Sequence, residues 1–171
     1  HTNDRRQRQM CIRDSKGTMQ LGPTPAKFGD QCTCDHLISR NDRGELINVE
    51  DEALMEWGGA SNGLVMYDRA TGYKELYPQA KRDIEDCVEA FNDWCGPTEK
   101  IESLYADNAP ELVAAAKQVG WRMPTSTPGI HETNGLAERI VRAVKEQTRT
   151  VLSQSGLSSK WWPFAGKYVC H

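Results

Sequence analysis

Residues 104–112 read Leu-Tyr-Ala-Asp-Asn-Ala-Pro-Glu-Leu, an order that predicts a strand, a polar turn and the start of a helix. Apolar side chains suit a short strand over Ile101–Ala106. Pro110 suits the first turn of a helix over Glu111–Val119, because a helix start leaves backbone N–H groups unpaired and proline has none. Asp107 therefore falls where the strand ends.

Outward from this stretch, strands alternate with helices along the chain. A β pattern marks Phe28–Ile38. A hairpin is predicted around the turn at residues 68–72, and a long loop over Ser39–Gly63. Further elements are predicted as a strand at Trp121–Thr125, a long helix at Asn134–Leu152, and a helix at Lys81–Cys95 with the stripe Ile84, Val88, Phe91 and Cys95 and with Cys87 and Trp94 alongside. Interleaved strands and helices predict an α/β domain in layers.

Composition limits the class of protein. The 171 residues carry 26% charged residues and a net charge of −3, which suits one globular domain. No apolar run approaches the roughly 20 residues of a membrane-spanning helix, so we expect no membrane protein. Six cysteines without a Cys-x-x-Cys pair predict neither a disulfide framework nor a zinc site. We expect reduced, mostly buried thiols in an intracellular protein.

Residues 1–15 do not fit the pattern of the rest. They hold a basic run, Arg5–Asp14, that matches a frame translation of a sequencing-library adapter, so we interpret them as a non-native leader. The alternative is a genuine basic arm that touches nucleic acid. We divide the remainder into a linker at residues 16–27 and a C-terminally truncated core at residues 28–171.

Three carboxylates stand at positions that suit chemistry. Asp35 lies within the first strand, Asp107 ends a strand, and Glu138 lies early in the long helix. Acids that converge repel one another unless a cation neutralises them. Oxygen-only clusters suit Mg²⁺ or Mn²⁺, and two such ions about 3.5–4 Å apart can drive phosphoryl transfer. Any one of these acids could instead be a turn or cap residue.

Two other acids compete for the first position of this set. Asp30 precedes Asp35 by five residues, which puts it on the opposite face of a strand. Asp68 stands in an Asp-Arg-Ala-Thr-Gly turn, where a bond from side chain to backbone is the expected role. We therefore prefer Asp35. His36 and His131 are interpreted as bystanders.

The long helix carries a charged stripe opposite an apolar face. Glu138, Arg142, Lys145 and Arg149 recur at helical spacing, within about 60° of one another. A solvated face is one interpretation, and a stripe that contacts phosphates is the other. Residues 120–171 have a net charge of 7 − 3 = +4, whereas residues 30–111 have 7 − 19 = −12, which favours the second.

The order of the motifs resembles the catalytic core of copia-type retrotransposon integrases. The match covers roughly residues 26–168, and its motifs are Tyr105–Leu112, Ser126–Pro128, Asn134–Arg139, the hairpin turn Tyr67–Tyr73 and Lys160–Trp162. The resemblance implies a ribonuclease-H-like fold, with a mixed central sheet flanked by helices. It also implies a D,D,E triad of Asp35, Asp107 and Glu138 that holds two Mg²⁺ or Mn²⁺ ions, although the 30 residues between the last two are fewer than is typical.

The same resemblance implies DNA integration. The expected activity is 3′-end processing followed by strand transfer of element DNA into target DNA, with no small-molecule cofactor. DNA would meet the loop and helix through Asn134, Arg139, Arg142, Lys145 and Arg149. Expected partners are DNA and further copies of the chain, and the expected place of action is the nucleus. The alternatives are a nuclease of the same fold, acting on RNA–DNA hybrid or branched DNA, and a decayed domain that only binds DNA or oligomerises.

Overall fold

The structure, a computed structural model, describes residues 25–38, 60–124 and 135–171. These residues form four strands: β1 (Cys32–Ile38), β2 (Asn62–Asp68), β3 (Lys74–Gln79) and β4 (Leu104–Tyr105). The helices are α1 (Ile84–Cys95), α2 (Pro110–Val119), α3 (Gly135–Ser155) and α4 (Trp162–Cys170), with a 3₁₀ turn at Ser159–Trp161. The predicted leader, most of the linker and residues 39–59 of the predicted loop lie outside the described residues.

The four strands form one mixed sheet in the order β3-β2-β1-β4. The hairpin of β2 and β3 is antiparallel, and β2 is also antiparallel to β1. β1 and β4 are parallel, with Cys32 opposite Leu104 and Thr33 opposite Tyr105. The predicted hairpin and mixed sheet are confirmed. The first strand begins at Cys32 rather than Phe28, and the 101–106 strand shortens to two residues.

Helices cover both faces of the sheet. Cys32 and Cys34 of β1 share a buried cluster with Phe91 of α1 and Leu112 of α2. On the other face a second cluster joins side chains of the sheet to the last two helices: Leu37, Val65, Leu76, Val144, Leu152 and Trp162. Because neighbouring side chains of a strand point to opposite faces, β1 supplies both clusters. The predicted layered α/β fold is therefore confirmed.

The helix α1 begins later than the sequence pattern indicates, and it is rotated. Asp83 caps it by accepting a hydrogen bond from the Asp86 N–H at 3.0 Å, so the helix starts at Ile84. Ile84 itself is 41% exposed. The buried face holds Cys87, Ala90, Phe91 and Trp94. Phe91 of the predicted stripe and Cys87 and Trp94 beside it are therefore confirmed as buried, whereas Ile84 is exposed, so the inward face is rotated slightly from the predicted one.

The strand predicted at Trp121–Thr125 is absent from residues 121–124, which have no regular structure. Two backbone hydrogen bonds involve this segment: the Leu104 N–H donates to the Arg122 carbonyl at 2.9 Å, and the Trp121 N–H donates to the Ala116 carbonyl at 2.9 Å. Trp121 instead stacks on Phe91, with ring centroids 4.7 Å apart. The β-like apolar character of this segment reflects packing on α1.

Asp68 is the polar anchor of the hairpin. Its side chain is fully buried, and Oδ2 accepts hydrogen bonds from the Thr71 N–H at 2.8 Å and the Thr71 hydroxyl at 2.7 Å. Oδ1 accepts from the Gly29 N–H at 3.1 Å. The predicted turn role of Asp68 is confirmed. Asp30 lies before β1, where its Oδ2 accepts from the N–H groups of Ala26 and Lys27, so its placement on a strand face was wrong.

The described cysteines form no disulfide with one another, and most of them are buried. Cys32, Cys34, Cys87 and Cys170 are buried, and Cys95 is half-buried. Burial raises the pKa of Cys87 and Cys170 to about 11, so both thiols stay protonated at neutral pH.

Across the ranges that the structure describes, no helix combines the length and apolarity needed to cross a bilayer.

Replacing Asp68 with alanine should destabilise the fold more than replacing an exposed aspartate. Asp68→Ala leaves the buried N–H of Gly29 and the Thr71 donors without their acceptor, at a cost of about 3 kcal/mol. The free energy of unfolding in urea measures this. Asp93→Ala, on the exposed side of α1, is the control and should change it by less than about 0.5 kcal/mol. Equal effects of the two substitutions would contradict the anchoring role.

Candidate active site

The parallel pair β1 and β4 brings two of the predicted acids to matching positions. Thr33 lies opposite Tyr105, so two residues further along each chain Asp35 aligns with Asp107. The Thr33 hydroxyl donates to the Tyr105 carbonyl at 2.7 Å and ties the strands just before the acids. Asp107 follows β4, and its Oδ1 accepts from the Ala109 N–H at 3.4 Å in a turn.

Asp35 lies half-buried in the middle of β1, and its surroundings oppose ionisation. Its pKa is raised to about 6, chiefly by burial, and the negative charges of Asp107 and Glu138 contribute in the same direction. A hydrogen bond from the His36 N–H to Oδ1 at 2.7 Å and the positive charge of Arg82 act in the opposite direction. Asp107 and Glu138 therefore both lie within electrostatic reach of Asp35.

Glu138 reaches this region from a different element. It stands exposed in the first turn of α3, which packs across β1 through Val144 and neighbouring apolar side chains. A carboxylate is favourable in the first turn of a helix, where unpaired N–H groups give a partial positive charge. The sheet and a helix that crosses it thus contribute the acids jointly.

The acids approach one another without forming a closed ligand set. In residues 25–38, 60–124 and 135–171, no group of three or more His, Cys, Asp and Glu side chains is placed to hold a metal ion. The three predicted acids would nevertheless offer carboxylate oxygens, the donors that hard divalent cations prefer. Carboxylates that repel one another draw together only around a positive charge.

The long helix presents the predicted cationic stripe. Arg139, Arg142 and Arg149 are exposed, and Lys145 is half-buried. Asn134, the remaining predicted DNA contact, lies outside the described residues, as does His131. The face toward the sheet buries Ala137, Val144, Thr148 and Leu152. Thr148 was not predicted there; its hydroxyl donates to the Val144 carbonyl at 2.7 Å, which satisfies it without a partner outside the helix.

The sequence does not predict a further polar contact that lies beside the acids. Glu111, near the start of α2, accepts a hydrogen bond from the Arg82 guanidinium at 2.8 Å. Its Oε1 also lies 3.6 Å from Nε2 of His36, whose side chain is only 3% exposed. Burial and the charge of Arg82 lower the pKa of His36, so the ring is neutral. The only sequence signal was the position of Glu111 in the motif that follows Asp107.

Known proteins resemble this chain in part of its sequence. No protein-family model matches it. The retrovirus-related Pol polyproteins from transposons RE2 and RE1 of Arabidopsis thaliana are each 32% identical to it over 108 residues. That match covers 60% of this chain but only 7% of either polyprotein, so the chain corresponds to a small part of those relatives.

Solved structures resemble the fold over more of the chain. The catalytic core of BIV integrase has a TM-score of 0.52 at 12% identity and covers 81% of this chain and 80% of its own. The HTLV-2 integrase catalytic core in complex with magnesium, in a trimeric form, has a TM-score of 0.56 at 14% identity, with 85% and 87% covered.

A simian T-cell lymphotropic virus intasome in complex with PP2A regulatory subunit B56 gamma has a TM-score of 0.60 at 13% identity, covering 85% of this chain and 50% of that one. At such identities these structures establish the fold, a ribonuclease-H-like mixed sheet flanked by helices. Sequence homology to transposon Pol polyproteins and the fold of retroviral integrase cores together confirm the predicted resemblance to the catalytic core of a copia-type retrotransposon integrase.

Proposed function

We propose that the chain is the catalytic core of a DNA integrase that performs metal-dependent 3′-end processing and strand transfer of element DNA. The observation that carries this proposal is the electrostatic coupling of Asp35 with Asp107 and Glu138 at one end of the parallel strand pair. Bringing like charges from three separate elements together destabilises the folded state. Proteins keep such unfavourable arrangements mainly at functional sites.

Asp35, Asp107 and Glu138 would hold the cations. Their carboxylate oxygens match Mg²⁺ or Mn²⁺, and one of the structural relatives is an integrase core in complex with magnesium. When bound, two such ions would activate a water or a 3′-hydroxyl and stabilise the leaving oxygen. Cys32, Cys34 and Cys87 are buried thiols, which suits a reaction without a covalent enzyme intermediate.

The chain's own residues would bind and orient the nucleic acid. Arg139, Arg142 and Arg149 project from the exposed side of α3, on the helix that carries Glu138. A DNA backbone whose phosphates contact these arginines would also pass close to the three acids. Lys145 and Asn134 belong to the same proposed contact.

Partners and location follow from the same proposal. Two element ends must be joined together, so we expect DNA and further copies of the chain as partners, acting in the nucleus. A trimeric integrase core and an intasome among the structural relatives support assembly. Hydrolysis alone would instead identify a nuclease of this fold, and DNA binding without metal-dependent products would identify a decayed domain.

Neutralising either of two acids should abolish product formation. Asp107→Asn and Glu138→Gln remove metal-ligand charge while keeping side-chain size, so joined product should fall at least about a thousandfold. The assay uses labelled element ends, target DNA and Mn²⁺. Glu146→Gln, an exposed glutamate of the same helix, is the control and should retain activity. Unchanged joining by Asp107→Asn would exclude the proposed site.

The free energy of unfolding should depend on pH, because the pKa of Asp35 is raised in the folded state. The pKa of an unfolded aspartate is about 3.9, whereas the folded value is about 6. The folded state therefore binds the proton more tightly, and ionisation destabilises it increasingly as pH rises from about 4 to about 6. Relative to Asp35→Asn, which cannot ionise, the parent chain should lose stability between pH 4 and pH 7. A difference in unfolding free energy that does not change with pH contradicts this.

Removing one stripe cation should weaken DNA binding through its salt dependence. Arg142→Ala should lower the magnitude of the slope of log affinity against log salt by about 1, since one phosphate contact is lost. Fluorescence anisotropy over a salt series measures the slope. Arg122→Ala, an exposed arginine away from α3, should leave it unchanged. Equal slopes for the two variants would place the DNA elsewhere.

A further inference from the structure

The ladder between β1 and β4 stops short of the acids that it aligns. Only two residue pairs are matched, Cys32 with Leu104 and Thr33 with Tyr105. Asp35 and Asp107 lie two positions further on, where no strand pairing joins them. The like charges of these acids also favour separation. Their spacing must therefore be maintained by contacts outside the ladder.

Two side-chain contacts bracket the pair of acids. Before them, the Thr33 hydroxyl donates to the Tyr105 carbonyl at 2.7 Å. After them, Nε2 of His36 lies 3.6 Å from Oε1 of Glu111. His36 is the residue next to Asp35, and Glu111 begins the helix that follows Asp107. The second contact therefore joins the segments that carry the two acids.

Glu111 is itself held from a third element. The Arg82 guanidinium donates to Oε1 at 2.8 Å from the segment that leads into α1. The Glu111 side chain is 16% exposed, whereas that of Arg82 is 37% exposed, so water reaches the arginine side of the ion pair. Both ring nitrogens of His36 are buried and have no hydrogen bond within the described residues, and Oε1 of Glu111 lies just beyond hydrogen-bond distance of Nε2.

We propose that Glu111 is a positioning residue: braced by Arg82, it holds the start of α2 against His36 and thereby sets the spacing of Asp35 and Asp107. This inference rests on the function proposed above, because the spacing matters only if the two acids share a cation. Outer groups that orient metal ligands typically change affinity by about 10–100-fold when removed. Glu111 would act through the acids and would not touch substrate.

The test uses the 171-residue chain and two measurements on Glu111→Ala, Glu111→Gln and the control Glu85→Ala. Glu85 is an exposed glutamate in the first turn of α1, as Glu111 is in the first turn of α2. Hydrogen exchange of residues 104–112 reports whether α2 stays against β1, with the hairpin β2–β3 as internal reference. Electron paramagnetic resonance of Mn²⁺ reports the affinity of the site.

For Glu111→Ala we expect exchange of residues 104–112 to rise about tenfold with the hairpin unchanged, and Mn²⁺ affinity to fall about tenfold or more. Glu111→Gln keeps an oxygen that accepts from Arg82, so it should recover most of the affinity. Glu85→Ala should match the parent chain. If Glu111→Ala does not fold, Arg82→Met, at an exposed position, should give the same changes in smaller measure.

The remaining outcomes separate this inference from the proposed function. Unchanged exchange in Glu111→Ala would overturn the inference. So would faster exchange with unaltered Mn²⁺ affinity, since the contact would then be structural only. Should the parent chain bind Mn²⁺ no better than Asp107→Asn, the proposed metal site fails. The exchange result would then still decide whether Glu111 holds α2 against β1.

Discussion

The parallel pairing of β1 with β4 is the constraint on which the candidate site depends. It is only two residues long, and Asp35 and Asp107 each lie two residues beyond its last pair, Thr33 with Tyr105. Every other feature of the site responds to that alignment. The acids repel, the pKa of Asp35 rises, and side chains on either side keep the strand ends together. A shift of one residue in the pairing of β4 with β1 would turn the Asp107 side chain to the opposite face of the sheet, away from Asp35.

The helix α3 links the core of the protein to its charged surface. Val144 and Leu152 pack in the second hydrophobic cluster, so burial fixes the helix across the sheet. Because that face is buried, the opposite face of the helix is exposed to solvent, and it carries Glu138 followed by arginines. One helix can therefore deliver both an acid to the site and cations to a phosphate backbone. The opposite sheet face, covered by α1 and α2, belongs to the acidic part of the chain.

Local signals were enough to predict most of the elements, whereas the choice of the three acids, which stays a prediction, also drew on the family resemblance. The Asp-Asn-Ala-Pro-Glu stretch indicates a strand end, a turn and a helix whatever surrounds it, and the structure places β4, Asp107 and α2 there. The turn role of Asp68 also depends on neighbours in sequence, above all Thr71. The Arg82–Glu111–His36 contact was not predictable, because its members come from three elements and meet only through tertiary packing. The rotation of α1 and the stacking of Trp121 have the same origin.

If Asp35, Asp107 and Glu138 together hold divalent cations, crystals of the chain grown with Mn²⁺ should show the anomalous diffraction signal of the metal between these three carboxylates. In Asp107→Asn that anomalous density should be lost. Anomalous density that contacts none of the three, or persists unchanged in Asp107→Asn, would contradict the proposed metal site.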